Sequence, residues 1–126
     1  MLQFLSENRR WLATGLLLAF GSSVGQTYFI SLFAGEIRAS DCLTDGQWGL
    51  LYTAATLCSA LLLLGRGSWA DTVPLPRLVP AVGITLGGAA LLMAFGTQIW
   101  MLALGVFLLR FCGQGMFTHM KVTAMA

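Results

Sequence analysis

The sequence predicts an all-α membrane protein with four transmembrane helices, and three of its features carry that prediction. Of its 126 residues, 57% are apolar and 10% are charged, a composition that excludes disordered, collagen-like and ordinary cytosolic proteins. Three long runs contain no charged residue, and tryptophans stand near the ends of those runs. Long apolar runs bounded by tryptophan are typical of helices that cross a bilayer.

The lengths of the charge-free runs set the number of helices. Residues 11–35 and 46–65 each match the roughly 20 helical residues that a hydrocarbon core of about 30 Å requires. Residues 78–109 are too many for one crossing, and Gly96-Thr97-Gln98 interrupts them, so we expect two helices there. The predicted spans are residues 11–33, 47–66, 78–95 and 99–120. The predicted connections are a cytoplasmic N-terminus at 1–10, an external loop at 34–46, a cytoplasmic loop at 67–77, an external turn at 96–98 and a truncated cytoplasmic end at 121–126.

Tryptophan and basic residues predict the orientation. Indole rings favour the boundary between headgroups and hydrocarbon, and all four tryptophans fall near span ends: Trp11, Trp48, Trp69 and Trp100. Most basic residues fall on one side, namely Arg9, Arg10, Arg66, Arg77 and Lys121, whereas Arg38 falls on the other. Because Lys and Arg concentrate in cytoplasmic segments, we expect a multi-pass protein of the inner cell membrane with both termini in the cytoplasm.

Other functions lack the residues they would need. The net charge is only +2, and the basic residues are scattered singly, without the stripe that neutralises a nucleic-acid backbone. Cys42, Cys58 and Cys112 show no Cys-x-x-Cys spacing, and one histidine with loop carboxylates cannot assemble a catalytic or metal-binding group. We therefore expect no nucleic-acid partner, no metal, no cofactor and no enzymatic activity.

Small residues indicate where helices pack against each other. Gly21 and Gly25 form a Gly-x-x-x-Gly step in the first span, and Gly83 and Gly87 repeat it in the third. Such steps let two backbones approach closely within a membrane.

Polar residues within the spans indicate an interior side. Helical spacing puts Gln26 on one face with Ser22, and Tyr52 belongs to a polar arc of the second span. An amide in hydrocarbon needs hydrogen-bonding partners, which either a neighbouring helix or water in a cavity would supply. Both readings of Gln26 remain open at the level of sequence.

Arg110 is the most informative residue, because it lies near the middle of the fourth predicted span. Insertion of an arginine there costs about 2.5 to 3.5 kcal/mol. Gln114 follows at i+4, so a polar stripe is expected to face protein or water. The acidic residues all lie outside the predicted spans, which leaves an acid on a missing helix, a substrate carboxylate, or carbonyls and water as partners. The alternative is that Arg110 only extends to the cytoplasmic headgroups.

Two motifs resemble the major facilitator superfamily of transporters. The loop from Gly67 to Arg77 resembles the signature Gly-x-x-x-Asp-Arg/Lys-x-Gly-x-Arg/Lys-Arg/Lys that joins its second and third helices. Gly67, Asp71 and Arg77 match, while Thr72, Pro74 and Pro76 replace a basic residue, the central glycine and a second basic residue. The run Arg110-Phe111-Cys112-Gly113-Gln114-Gly115 is similar to the fourth-helix motif, an arginine followed closely by Gln-Gly. With the first-span run from Gly21 to Tyr28, the chain most resembles bacterial carboxylate-type facilitators.

The resemblance implies that the chain is the N-terminal part of a twelve-helix fold that works by alternating access, and that it is a fragment whose partners include the missing helices. It implies transport of a small solute, such as a carboxylate, across the bilayer. Gln26, Tyr52, Arg110 and Gln114 would line the substrate pathway, and Gly67, Asp71 and Arg77 would form a cytoplasmic gate loop. Arg110 would bind either the substrate anion or an acid whose protonation drives transport.

Two other readings stay open. One is a self-contained four-helix carrier that forms homo-oligomers, like the small multidrug resistance family, although the first span lacks the acidic residue which that family uses. The other is a non-transporting membrane scaffold, for which the glycine steps would be the specific feature.

Overall fold

The computed structural model describes residues 2–66 and 68–125, and every regular element in those ranges is a helix. The elements are α1 (Leu2–Glu7), α2 (Arg9–Val24), α3 (Thr27–Ser40), α4 (Asp45–Arg66), α5 (Trp69–Thr72), α6 (Leu75–Phe95), α7 (Ile99–Leu108), a π-helical segment (Leu109–Met116) and α8 (Phe117–Met125). The predicted all-α class is therefore confirmed for the described residues.

Four helical stretches are long and apolar enough to span a membrane, as predicted: Arg9–Ser40, Asp45–Arg66, Leu75–Phe95 and Ile99–Ala124. The first combines α2 and α3, and the fourth combines α7, the π segment and α8. Their number and apolar character indicate a membrane protein.

The first stretch differs from the predicted single helix at 11–33. It is broken between Val24 and Thr27, and it continues to Ser40, so residues 34–40 of the predicted external loop are helical. The predicted helix ended where the charge-free run ends. Charged residues interrupt an apolar run, but they can still be part of a helix. The guanidinium Nε of Arg38 donates to the Ala34 carbonyl one turn earlier, and Arg38 also forms an ion pair with Asp45 at the start of α4.

Local capping explains why the next two spans begin before their predicted first residues. The side chain of Thr44 accepts the Gln47 backbone N–H, and Gln47 accepts the Thr44 N–H in return, at 3.3 and 3.1 Å. This reciprocal capping box starts α4 at Asp45 rather than at 47. Pro74 is the N-cap of α6, and Pro76 lies in its first turn, where proline is well tolerated, so the helix begins at Leu75 rather than at 78.

The fourth span lies at the centre of the bundle. Within its most apolar window 44% of residues are buried, against 11% for α4 and 22% for each of the other two spans. The buried core joins the fourth span to α2, α3 and α6, and consists of Leu18, Ile30, Leu78, Val82, Leu86, Ala89, Leu109, Cys112, Met116, Phe117 and Met120. The fourth span is thus the element against which the others are positioned.

Large apolar side chains cover the outer surface. Leu16, Phe20, Leu64 and Ile84 are each more than two-thirds exposed, as are the rings of Trp11 and Trp100. Apolar side chains on the outside and packed side chains within are what a lipid environment selects.

Candidate functional site around Arg110

The break in the first span leaves a backbone acceptor without its usual helical donor. In a continuous helix the Gly25 carbonyl would accept the Phe29 N–H, but that N–H donates to the Gln26 carbonyl instead, at 3.1 Å. Gln26 is extended, with φ −73° and ψ 150°, and α3 begins anew at Thr27. The Gly25 carbonyl is therefore available to another helix.

The π segment of the fourth span packs directly against this break. A Cβ added to Gly113 would lie 2.6 Å from the Cα of Gly25, and one added to Gly25 would lie 2.7 Å from the Cα of Gly113. The two backbones can cross this closely only because both positions are glycine. A π-helical turn is a common feature of functional sites within helices, and here it carries Arg110.

The guanidinium group of Arg110 bonds to both sides of the break. Its Nη1 donates to the Thr27 hydroxyl at 2.9 Å and to the Gly25 carbonyl at 3.5 Å. Arg110 is the twelfth of the residues in Ile99–Ala124, so it lies about 17 Å along the helix from Ile99 at about 1.5 Å per residue. The side chain therefore bonds within the protein, at mid-span, to an acceptor that a continuous first helix would not offer.

Tyr52 completes the contacts of Arg110. The centre of its ring lies 5.5 Å from the Arg110 guanidinium carbon, within the range of a cation–π contact. The Tyr52 hydroxyl and the Thr27 hydroxyl are 3.3 Å apart and hydrogen bonded. Arg110, Thr27 and Tyr52 therefore form one connected polar cluster that joins three of the four spans.

Three buried side-chain atoms on the two elements that carry Tyr52 and Arg110 have no hydrogen-bonding partner within the described residues. They are the Nε of Arg110, the Oε1 of Gln114 and the Oγ1 of Thr56. Gln114 and Thr56 each follow one helical turn after a member of the cluster, Arg110 and Tyr52 respectively. An unsatisfied buried donor or acceptor costs about 1 to 3 kcal/mol, so a polar partner for any of these atoms would be stabilising.

Arg110 has no acidic partner in the described part of the chain. The carboxylate of Asp45 pairs with Arg38 at the loop end of α3, and no carboxylate oxygen of a described residue lies within 4.0 Å of an Arg110 nitrogen. In the same residues, no group of His, Cys, Asp or Glu gathers closely enough to bind a metal ion.

Of the four predicted pathway residues, the structure brings Arg110 and Tyr52 into contact. Arg110 contacts Tyr52, and Gln114 lies on the same π segment. Gln26 lies at the break and supplies its backbone carbonyl to Phe29 and Ile30, while its side chain forms no hydrogen bond with the described residues. The helical face that the sequence assigned to Gln26 and Ser22 does not exist, because the break separates them; Ser22 bonds to Ala19 in its own helix.

The predicted gate residues are not brought together in the described residues. Asp71 lies on α5, where its Oδ1 accepts the Thr123 hydroxyl of α8 at 3.4 Å, which links the loop to the last helix. Arg77 lies in the first turn of α6, exposed and without an ion pair to Asp71. Gly67 and the side chain of Trp69 lie outside the described residues.

The four glycines of the two predicted steps differ in their surroundings. A Cβ on Gly21 would meet the Phe117 ring at 3.3 Å, and Gly25 has the backbone contact described above. A Cβ on Gly83 would make only ordinary contact with Phe117, and Gly87 has open space. The first step is therefore closely packed, whereas the second is not.

A separate cavity of about 420 Å³ lies between α3 and α6. Its walls are mostly apolar, and Val24 and Leu109, the sequence neighbours of Gly25 and Arg110, contribute to its lining. Neither Arg110 nor Tyr52 lines it. The cavity and the polar cluster are therefore separate features, and the cluster is identified by its unsatisfied hydrogen-bonding groups.

Sequence reasoning assigned no role to Thr27 or Gly113, and it missed the helix break and the π segment. A signal for the break existed in the adjacent Gly25 and Gln26, since glycine and a polar amide both disfavour a continuous apolar helix. No local signal in the sequence predicts the π segment, which contains Gly113 and its close crossing with Gly25.

Comparison of the chain with known protein families, curated proteins and solved structures finds no match.

Proposed function

We propose that the chain is the N-terminal part of a secondary transporter of the major facilitator type, which moves a small carboxylate across the inner cell membrane by alternating access. In this proposal Arg110 binds the carboxylate, Tyr52 and Thr27 orient the guanidinium group, and both chain termini face the cytoplasm. The other half of the pathway would come from helices beyond the four described. The alternative partner of Arg110, an acid that carries a coupled proton, would lie on those helices.

One observation carries the proposal: among the described residues, an arginine at mid-span has an unpartnered hydrogen-bonding edge and no acid beside it. Nη1 is used by Thr27 and Gly25, whereas Nε is buried and unpartnered. Nη2 forms no hydrogen bond with a described residue. The Nε and Nη2 atoms share one edge of the planar group, which is the edge that receives the two oxygens of a carboxylate.

The energetics favour an anion at this position. Arginine at mid-bilayer costs about 2.5 to 3.5 kcal/mol, which two hydrogen bonds and an aromatic contact can offset, but the buried Nε still lacks an acceptor. A carboxylate would neutralise the charge and satisfy Nε together. In many transporters the backbone groups exposed at a break in a membrane helix bind the transported solute.

The test is a ligand-binding measurement with the whole chain, purified in detergent, using propionate as the probe. Propionate is expected to raise the unfolding temperature of the wild-type chain in a saturable manner, and sodium chloride at equal ionic strength is not. Arg110→Lys keeps the charge but loses the pair of donors that binds both carboxylate oxygens. The apparent affinity for propionate, taken from the rise in unfolding temperature with concentration, should therefore fall at least tenfold, or about 1.4 kcal/mol.

Arg38→Lys is the matched control, because Arg38 is bound to Asp45 at the loop end and faces no unpartnered site. Its propionate response should equal that of the wild type. Equal responses in Arg110→Lys and the wild type, in a variant that still folds, would overturn the proposal.

A further inference from the structure

The cavity between α3 and α6 is apolar along most of its wall and acidic at one end. Ile30, Phe33 and Ile37 line it from one face of α3. Glu36 and Asp41 line it where that helix ends, and we call this part the acidic end. The volume of about 420 Å³ is typical of small-molecule sites, which are mostly apolar with a few polar groups that fix the orientation of the ligand.

No basic residue in the described part of the chain neutralises the acidic end. Neither Glu36 nor Asp41 forms an ion pair with a described residue. Arg38 lies between them in the sequence, but it pairs with Asp45 and does not line the cavity. Low-dielectric walls beside charges of one sign strengthen the field in a cleft and concentrate counter-ions there. The acidic end therefore attracts a positively charged group.

Aromatic rings add a second attraction for a cation. Phe29 and Phe33 both line the cavity, with ring centres 5.4 Å apart and ring planes inclined at 57°. Phe33 precedes Glu36 by three positions, so the ring and the carboxylate lie on the same face of α3. The faces of aromatic rings attract cations, and quaternary ammonium ions are bound in this way.

The apolar part of the cavity is long enough for a hydrocarbon tail. From Ile30 to Ile37 the helix rises about 10 Å, at about 1.5 Å per residue. On α6 the wall includes Ala90 and Ala94, whose small side chains leave space beside the helix. Ala94 and Phe33 are both exposed, so the cavity opens to the surroundings of the bundle. An amphiphile can therefore enter it from outside.

The charges distinguish a simple cation from other amphiphiles. A neutral amphiphile would fill the apolar part but leave both carboxylates without a counter-charge. A phospholipid with an ammonium headgroup also carries a phosphate, which Glu36 and Asp41 would repel. A single positive charge on one apolar tail matches both parts of the cavity.

The geometry points to a binding site for a lipophilic monocation of the alkylammonium class in the cavity between α3 and α6. The cationic head lies at Glu36 and Asp41 beside the Phe33 ring, and the tail lies along Ile30 and Ile37. This site shares no residue with the carboxylate site proposed above, so each stands or falls independently of the other.

The experiment measures binding of octyltrimethylammonium and of octanol, which has the same tail without the charge. Equilibrium dialysis uses the whole chain in a non-ionic detergent, with protein-free micelles as the blank. The wild type is expected to bind the cation saturably and at least tenfold more tightly than octanol. The double variant Glu36→Gln/Asp41→Asn should lose that preference and keep its affinity for octanol, because only the charges are removed.

A second variant tests the location without changing any charge. Ala94→Leu places a larger side chain in the cavity wall, so it should weaken binding of both probes at least threefold. Two matched controls should bind both probes as the wild type does. Glu7→Gln removes one negative charge on α1, and Ala81→Leu adds the same bulk at an exposed alanine of α6 that does not line the cavity.

Three results would overturn the inference. The first is equal affinity of the wild type for the cation and for octanol, and the second is a preference for the cation that the double variant retains. The third is displacement of the cation by an equimolar amount of phosphatidylethanolamine, which would assign the cavity to a lipid. Unchanged binding in Ala94→Leu would likewise exclude this cavity as the place where the cation binds.

Discussion

At the scale of single residues, Thr27 is hydrogen bonded to both other members of the cluster. Its hydroxyl accepts the Arg110 Nη1 at 2.9 Å and is bonded to the Tyr52 hydroxyl at 3.3 Å. Thr27 also begins α3 directly after the break. One small side chain therefore links the first, second and fourth spans.

We expect Thr27→Val to destabilise the chain by about 0.5 to 2 kcal/mol, because interhelical hydrogen bonds within membranes fall in that range and the substitution keeps the shape of the side chain. Unfolding of the detergent-purified chain, titrated with a denaturing detergent, measures the change. Thr27→Ser should recover most of the stability.

Thr85→Val is the isosteric control, because the exposed Thr85 hydroxyl bonds only to its own helix. Its free energy of unfolding should stay within about 0.5 kcal/mol of that of the wild type. Equal stabilities of Thr27→Val and Thr85→Val would mean that the hydroxyl cluster contributes nothing to the fold.

At the scale of the elements, the crossing of α2 with the π segment determines where Arg110 lies. Gly25 and Gly113 are in backbone contact, and the break after Val24 lies at the crossing. The sequence identified Gly25 as a packing glycine but offered no partner for it. The sequence does not show which of the two Gly-x-x-x-Gly steps packs more closely, because the spacing is the same in both. The difference lies in the neighbouring helix that each step faces.

We expect Gly25→Ala to destabilise the chain by about 2 kcal/mol or more, because the new methyl group would overlap the Leu109 carbonyl and the Gly113 backbone, and neither backbone can move without disturbing the core. Gly87→Ala should be neutral or stabilising by up to about 1 kcal/mol, since its surroundings are open and alanine favours helix.

The same denaturing-detergent titration measures both variants. A Gly25→Ala chain as stable as Gly87→Ala would contradict the close crossing, and it would remove the physical reason for the position of Arg110.

At the scale of the whole molecule, four crossings are predicted to place both termini on one side of the membrane and the turn after α3 on the other. Cys42 lies exposed in that turn, whereas Cys112 is buried in the fourth span. Position in the sequence, together with the basic residues near the termini, predicts that Cys42 is external.

We expect a membrane-impermeant maleimide to label Cys42 in intact cells when Cys58 and Cys112 are replaced by serine. With Cys42 also replaced and Ser6→Cys added near the N-terminus, labelling should require lysed cells. The reverse pattern would invert the predicted orientation, and labelling of both positions in intact cells would contradict an arrangement in which the membrane separates them.

The sequence by itself determined that the chain is helical, that it has four apolar stretches of spanning length, and that an arginine lies in the middle of the last one. These properties depend on composition and on the distance between charges, which are local quantities. The tertiary structure decided that the first span breaks at Gly25 and Gln26, that the fourth span widens into a π segment, and that Thr27 and Tyr52 meet Arg110. Of these features only the break has a local signal, in the adjacent Gly25 and Gln26. The π segment and the meeting of the three side chains lie where helices cross, and Thr27 and Arg110 are 83 residues apart, so no pattern within either helix could specify them.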